Sequence, residues 1–201
     1  MCLAISYARV GLDKPSPRRV AERALVLCAV TMRAIAEGEA ESARDTYAQS
    51  RAWLTAQGLE AELEPRERAF LDTELGAASE EDMSYGSWRA EGLAVLAWSL
   101  GVAELPGPDE QADPMELWTA LDFLSDGPPS ILEYPALRTA PEIAAQNTRI
   151  TTGLLALEKE IISGHANEAI MTALRISRER EQALRWLRGD AEKYSEIETT
   201  S

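Results

Sequence analysis

Apolar positions recur at helical spacing along most of the chain, and glycine and proline punctuate the stretches between them. Ser16 supplies a capping hydroxyl and Pro17 a first-turn proline. Val20, Ala24, Leu27, Cys28, Thr31 and Ile35 then follow on one face, which predicts a helix over 17–37. After Gly38, the positions of Ala43, Tyr47, Trp53 and Leu54 predict a second helix over 39–57, capped by Gly58. Glu64-Pro65 opens a short third helix to about residue 74, carrying Ala69, Phe70 and Leu71.

Ser79 to Asp82 reads as another capped start. Beyond Gly86, the stretch 87–100 is apolar on most sides and predicts a central buried helix stopped by Gly101. Asp113-Pro114 begins a helix with Met115, Leu117, Trp118, Leu121 and Leu124, ended by Gly127-Pro128-Pro129. Four prolines between 128 and 141 predict a surface crossing rather than a long regular element. A long helix follows from about 139 to 164, through Ile143, Ile150, Leu154, Leu157 and Ile161. A last one runs over 167–189 with Ile170, Ala173, Leu174, Ser177, Leu184 and Leu187 in register. No stretch alternates as a strand would, and no solenoid repeat occurs. The expected fold is all-α: one bundle of about six to eight helices over 17–189, with an N-terminal extension at 1–16 and a tail at 190–201.

Charge changes this picture more than overall composition does. The formal net charge is −14, and residues 39–126 hold 20 acidic against five basic side chains, so nearly all of the excess lies mid-chain. Such a charge repels nucleic acid and anionic lipid at long range and attracts a basic protein. The longest apolar runs, such as 93–100, fall short of the roughly 20 residues that a bilayer demands. Residues 1–10 lack the basic start, apolar centre and cleavage site of a secretory signal, so the expected compartment is the cytoplasm. Cys2 and Cys28 do not form a disulfide framework, and Cys28, inside an apolar helix, reads as a core residue.

The block Ser87-Trp88-Arg89-Ala90-Glu91-Gly92-Leu93, continuing Val95-Leu96-Ala97-Trp98-Ser99-Leu100-Gly101, resembles the signature of a bacterial family named domain of unknown function 4272. Three further pieces are similar to that family in the same order: Arg23-Ala24; Trp53-Leu54 with Gly58-Leu59 and Pro65-Arg66-Glu67; and Arg178-Glu179-Arg180 leading to Ala183-Leu184-Arg185-Trp186-Leu187-Arg188-Gly189. The resemblance implies a helical fold and a bacterial origin, and it transfers no catalytic residues. The chain departs from the family pattern at Thr151-Thr152-Gly153-Leu154 and at Tyr194-Ser195-Glu196-Ile197-Glu198-Thr199.

Little in the chain suggests catalysis. The single histidine, His165, sits in a Ser-Gly-His-Ala turn without a neighbouring nucleophile, and neither a zinc motif nor a phosphate-cradling glycine loop is present. No cofactor is expected. Carboxylates at helical spacing, Glu37 with Glu41, Glu41 with Asp45 and Glu64 with Glu67, could in principle hold Mg²⁺, but 34 acidic residues make such pairs common by chance. Trp88, Trp98, Trp118 and Trp186 fall beside apolar positions and read as core. Arg89 and Glu91 interrupt the most apolar helix, as Arg180 and Glu181 do the last one. Charges there require partners, which predicts a polar network between the two helices.

These features together lead to a non-catalytic binding module that docks a basic protein through acidic residues flanking its loops. Glu60, Glu62, Glu64, Asp109, Glu110 and Asp113 are the candidates. Specific inhibition of a toxin is one form this would take. The alternatives are a Mg²⁺-dependent nucleotide hydrolase and a self-associating structural subunit.

Overall fold

Side-chain caps start the helices. In the computed structural model, which describes residues 13–39 and 43–197, Ser16 Oγ accepts the Arg19 amide at the head of α1 (Pro17–Gly38). Ser79 accepts the Asp82 amide at the head of α4 (Glu80–Ser99). Asp113 caps α5 (Pro114–Ala120), and Asn167 caps α8 (Glu168–Leu187). Reciprocal capping boxes, Glu64 with Glu67 and Thr139 with Glu142, open α3 (Pro65–Asp72) and α7 (Ala140–Ile162). The remaining elements are α2 (Arg44–Ala56), a 3-10 turn at Leu59–Glu62, the single-turn α6 (Ser130–Glu133) and a 3-10 turn at Tyr194–Glu196. Among the described residues there is no strand, and the fold is all-α with eight helices.

The packing order is α1 against α4, α4 against α8, and α8 against α7, with the shorter elements gathered around α1. α1 and α4 share the centre: Val20 to Val30 of α1 and Leu93 to Ala97 of α4 carry the most deeply buried side chains. Close approach of the two helices needs Gly86, because a Cβ there would lie 2.7 Å from Phe70 Cε1 and 2.9 Å from the Ala34 methyl. α4 runs through Gly86 and joins the capped start at Ser79 and the apolar stretch 87–100 into one helix. α7 is an outer helix, with only Ile143 and Leu154 buried. No helix among the described residues is long and apolar enough to cross a membrane.

The structure departs from the sequence expectations in three places. α5 stops at Ala120 rather than near 126, because Asp122 and Leu124 adopt left-handed conformations (φ 53° and 66°). That turn drives Phe123 inward, where its ring packs edge-on against Trp53 at 5.1 Å. The proline-rich crossing contains α6, whose Ile131 and Leu132 are core residues. The presumed tail does not end the body at 189, since Tyr194 and Ile197 are both buried. The expectations for residues 1–12, Cys2 and the pairings of Glu41, and those for 198–201, lie outside the described residues. Cys28 is fully buried, and burial pushes its thiol well above the ordinary value.

Candidate functional site

Four charged residues, two on α4 and two on α8, were the candidates for a polar network, and the structure places them in separate contacts. Glu91 and Arg180 meet between the helices, both side chains almost fully buried, with Arg180 Nε and Nη2 donating to Glu91 Oε2 at 2.9 and 2.8 Å. The rest of the guanidinium holds the loop before α5: Nη1 donates to the carbonyls of Pro106 (2.9 Å) and Gly107 (2.8 Å), and Nη2 to that of Glu110 (2.7 Å). Glu91 Oε1 grips the same loop from the other side by accepting the Ala112 amide at 2.9 Å.

Arg89 does not join this pair. It lies one side over, donating to Gln182 Oε1 at 3.1 Å and facing Glu179 at 3.4 Å, with its guanidinium over the Tyr85 ring. Burial is the largest influence and would lower the Arg89 pKa, but Glu179 together with Tyr194, Tyr85 and Glu64 outweighs it and the net direction is upward. Burial also raises Glu179, against the opposing charge of Arg89. Glu181 instead accepts the Thr151 hydroxyl of α7 at 3.3 Å.

Two further buried arginines on α1 repeat the Arg180 arrangement, each with its own carboxylate and its own loop. Arg33 pairs with Glu37 and donates to the carbonyls of Thr73 and Glu74, while Glu37 accepts the amides of Gly76 (2.9 Å) and Ala78 (2.6 Å). The Glu37 pKa is lowered: burial alone would raise it, but the Gly76 amide, Arg33 and the Ala78 amide more than offset that effect. Arg23, fully buried, pairs with Glu67 and donates to the Glu62 carbonyl at 2.8 Å, and Glu67 in turn accepts the Glu64 amide at 3.0 Å. Buried ion pairs of this kind add little net stability against apolar packing. Losing one partner, however, strands the other charge and costs about 3–5 kcal/mol. Their effect here is to fix three irregular segments against a helical body.

The third clamp also receives the C-terminal segment. Both Glu64 oxygens accept the Ser195 amide (3.1 and 3.0 Å), and Gln182 donates to the Tyr194 carbonyl at 3.0 Å. The Tyr194 ring lies between the guanidinium groups of Arg23 (5.2 Å) and Arg89 (5.9 Å), and edge-on to Trp186. Its hydroxyl is buried without a protein partner and abuts Gly92, where a Cβ would collide with it. Burial raises the phenol's pKa. Arg23, Glu67, Arg89, Glu91, Gly92, Glu179 and Arg180 all belong to the sequence pieces that carry the family resemblance; in the structure Arg23, Arg89 and Gly92 contact Tyr194, Glu67 and Glu179 pair with those two arginines, and Glu91 with Arg180 forms the clamp on the loop before α5. Arg23 and Glu67 escaped sequence reasoning as a pair because they are 44 positions apart. A charge at 23 amid an otherwise apolar helical face was the available signal. Tyr194 gave none, since it lies beyond the last helical pattern.

The acidic candidates separate into two groups. Glu64 is buried, and Glu62 is turned inward, where Arg19 donates to it at 3.3 Å and burial raises its pKa. Neither offers a free carboxylate, which corrects the expectation that the whole cluster is available to a partner. Glu60 is exposed and accepts the Thr55 hydroxyl at 3.0 Å. Asp109, Glu110 and Asp113 are exposed, Glu110 bonding the Gly107 amide and Asp113 capping α5. The two clusters also lie apart. Glu62 sits at Arg19 and Arg23 of α1, whereas Ala112 and Pro114 share a cavity with Thr31 and Ile35, 8 to 16 residues further on and so about 12–24 Å along the helix axis.

Of the carboxylates considered for Mg²⁺, Glu37, Glu64 and Glu67 are all engaged by arginine or backbone amides as described. His165 is exposed and contacts Glu160 at 2.9 Å. Trp98 and Trp186 are core residues, while Trp118 is half-buried and donates to Thr31, and Trp88 is half-buried under Arg175 at 4.2 Å.

Compared with known proteins, residues 9–197, nearly the whole chain, match the family described as domain of unknown function (DUF4272). No curated protein and no solved structure matches.

Proposed function

The chain belongs to the DUF4272 family, and from that premise and the geometry above we propose that it is a non-catalytic binding protein that docks a basic protein partner through an acidic band formed by the loop before α5, α5 itself and the turn through α6. One observation carries this reading. Residues 90–137 contain nine Asp and Glu and no Lys, Arg or His, and every one of those acids except Glu91 is exposed. Two large apolar side chains stand out in the same segment, Met115 at 63% and Tyr134 at 80% exposure. Apolar anchors set in a charged surround form the usual anatomy of a protein interface: the charges steer the encounter, and the anchors hold the complex. The backbone that displays the acids is held by the Glu91–Arg180 clamp, so little ordering is required on binding. The interior charges, by contrast, are committed to structural pairs. Specific inhibition of a basic enzyme, such as a toxin that the producing cell must neutralise, is the use that fits this design.

The test uses four acids that neither cap a helix nor hold the loop together. Glu104, Asp109, Glu116 and Asp126 are each changed to Lys, beside a control with the same charge change elsewhere (Glu158, Glu160 and Glu168 of the α7–α8 hairpin and Glu192 after α8, to Lys). Tagged proteins are used to capture partners from the source cells at low and moderate salt. The reading requires one stoichiometric basic partner that the wild type and the control retain and the band variant loses. Equal retention by both variants, or no such partner, removes it.

A further inference from the structure

The α4–α8–α7 layers leave a cleft of about 430 Å³ beside the loop held by Arg180. Trp98, Leu105, Pro106 and Ile150 form apolar walls, and Arg149 and Gln146 of α7 stand at its edge. Its size is that of small-molecule sites, which pair mostly apolar walls with a few placed polar groups. Two residues that line it carry donors without a protein partner. Ser177, 7% exposed, makes no hydrogen bond to protein, whereas the helical serines Ser50, Ser87 and Ser99 each donate to a carbonyl in the preceding turn. The Trp98 indole N–H also has no protein acceptor, although Trp53, Trp118 and Trp186 each have one.

The walls are held in place before any ligand arrives. Arg180 fixes the carbonyls of Pro106 and Gly107. Arg138 stacks on Trp98 at 5.1 Å while donating from Nε to the Trp98 carbonyl at 2.8 Å. Arg149 contacts only Gln146 Oε1, at 2.9 Å, leaving most of its donors free. Glu104 is the one carboxylate lining the cleft, and it is 93% exposed, half-turned to Arg138 at 3.5 Å. Within a strongly acidic protein this cleft is therefore lined by donors: a guanidinium, an indole N–H, a hydroxyl and an amide. On the α7 side Gly153 faces open space, with no atom within 4 Å of where its Cβ would lie.

We propose that this cleft binds a small carboxylate with a flat apolar body, the body against Trp98, Pro106 and Ile150 and the carboxylate toward Arg149, within reach of the Ser177 and Trp98 donors. The charge of Arg149 selects an anion. The planar guanidinium suits a carboxylate in two-point contact, and the aromatic and proline walls suit a ring. The cleft adjoins the acidic band along the loop before α5, with Glu104 on its rim, but neither proposal depends on the other.

The test follows the indole N–H signals of the full chain by nitrogen-15 NMR, with the Trp98 signal assigned from Trp98→Phe. The probes are phenylacetate and indole-3-acetate, with phenylacetamide and phenethylamine as the neutral and cationic counterparts. The expected result is a saturable shift of the Trp98 signal by the carboxylates, with the amide at least about tenfold weaker and the amine without effect. Arg149→Gln should weaken carboxylate binding by about tenfold. Gly153→Leu should abolish it while keeping the fold, since leucine favours helix over glycine and enters open space. The proposal is overturned if neither carboxylate shifts Trp98 at millimolar concentration, if the amine shifts it equally, or if Gly153→Leu binds as wild type does.

Discussion

Replacing Gly92 by alanine tests the C-terminal lock at its tightest point. The added methyl would occupy the position of the Tyr194 hydroxyl, and the tyrosine has little room to yield. Its ring lies between Arg23 and Arg89, its carbonyl is held by Gln182, and the next amide by Glu64. Overpacking of this kind costs about 1–3 kcal/mol, and expulsion of the ring, which would forfeit an aromatic core side chain, sets an upper limit of about 3–5 kcal/mol. Alanine's better helix propensity returns at most about 1 kcal/mol. The net expectation is a loss of about 1–3 kcal/mol, read as a lower urea midpoint at unchanged m-value. Tyr194→Phe supplies the control. It removes a buried hydroxyl that has no protein partner, so by itself it should be neutral or slightly stabilising. In its background the nearest ring atom to the new methyl is Cζ at 3.3 Å, a contact relieved by a shift of a few tenths of an ångström. The double variant should therefore recover most of the loss, giving a coupling of about 1–2 kcal/mol. Additive effects, or a Gly92→Ala protein as stable as wild type, would refute the close approach and the lock built on it.

Arg180→Ala should cost about 3–5 kcal/mol by stranding the buried Glu91 carboxylate, and limited proteolysis should then cut within 104–113. Adding Glu91→Gln should restore part of the stability but not the protection of the loop. Glu37 and Glu179 should respond to acid in opposite senses. The folded pKa of Glu37 lies below the ordinary value, so its stabilisation is present above the carboxylate range and disappears as pH falls through the folded value. The advantage of wild type over Glu37→Gln in urea denaturation should shrink accordingly below about pH 4.5. Glu179 is raised, so its ionised form weighs against the fold at neutral pH, and that penalty lifts as pH falls through the raised value. The stability of Glu179→Gln relative to wild type should therefore fall on acidification, on top of a pH-independent cost of leaving Arg89 without its carboxylate; the same sign of pH dependence for both variants would contradict the assignment.

The long elements were readable because they follow local rules. Asn167 and the Thr139–Glu142 box announce α8 and α7, and the apolar run after Gly86 announces the buried half of α4. What the sequence did not announce depends on contacts between distant residues. α5 ends early because Phe123 finds Trp53, 70 positions away, and the chain turns left-handed to bring it there. Tyr194 carries no local mark of burial; its place is made by Gly92, Arg23 and Arg89 together. Charges within apolar helices were a readable demand for partners, yet spacing could not say which: Arg180 takes Glu91, and Arg89 takes Glu179 rather than Glu181. The acidic excess could be counted directly, but only the fold separates the inward-turned Glu62 and Glu64 from the exposed Asp109, Glu110 and Asp113.

The docking account is tested most directly by the association rate of the captured partner as a function of ionic strength. Steering by the acidic band predicts an on-rate that falls steeply as salt rises from about 0.01 to 0.15 M, while the off-rate changes little. With Glu104, Asp109, Glu116 and Asp126 changed to Lys, the on-rate should be lower and its salt dependence nearly flat. An on-rate indifferent to salt, or a salt dependence unchanged in that variant, would contradict it.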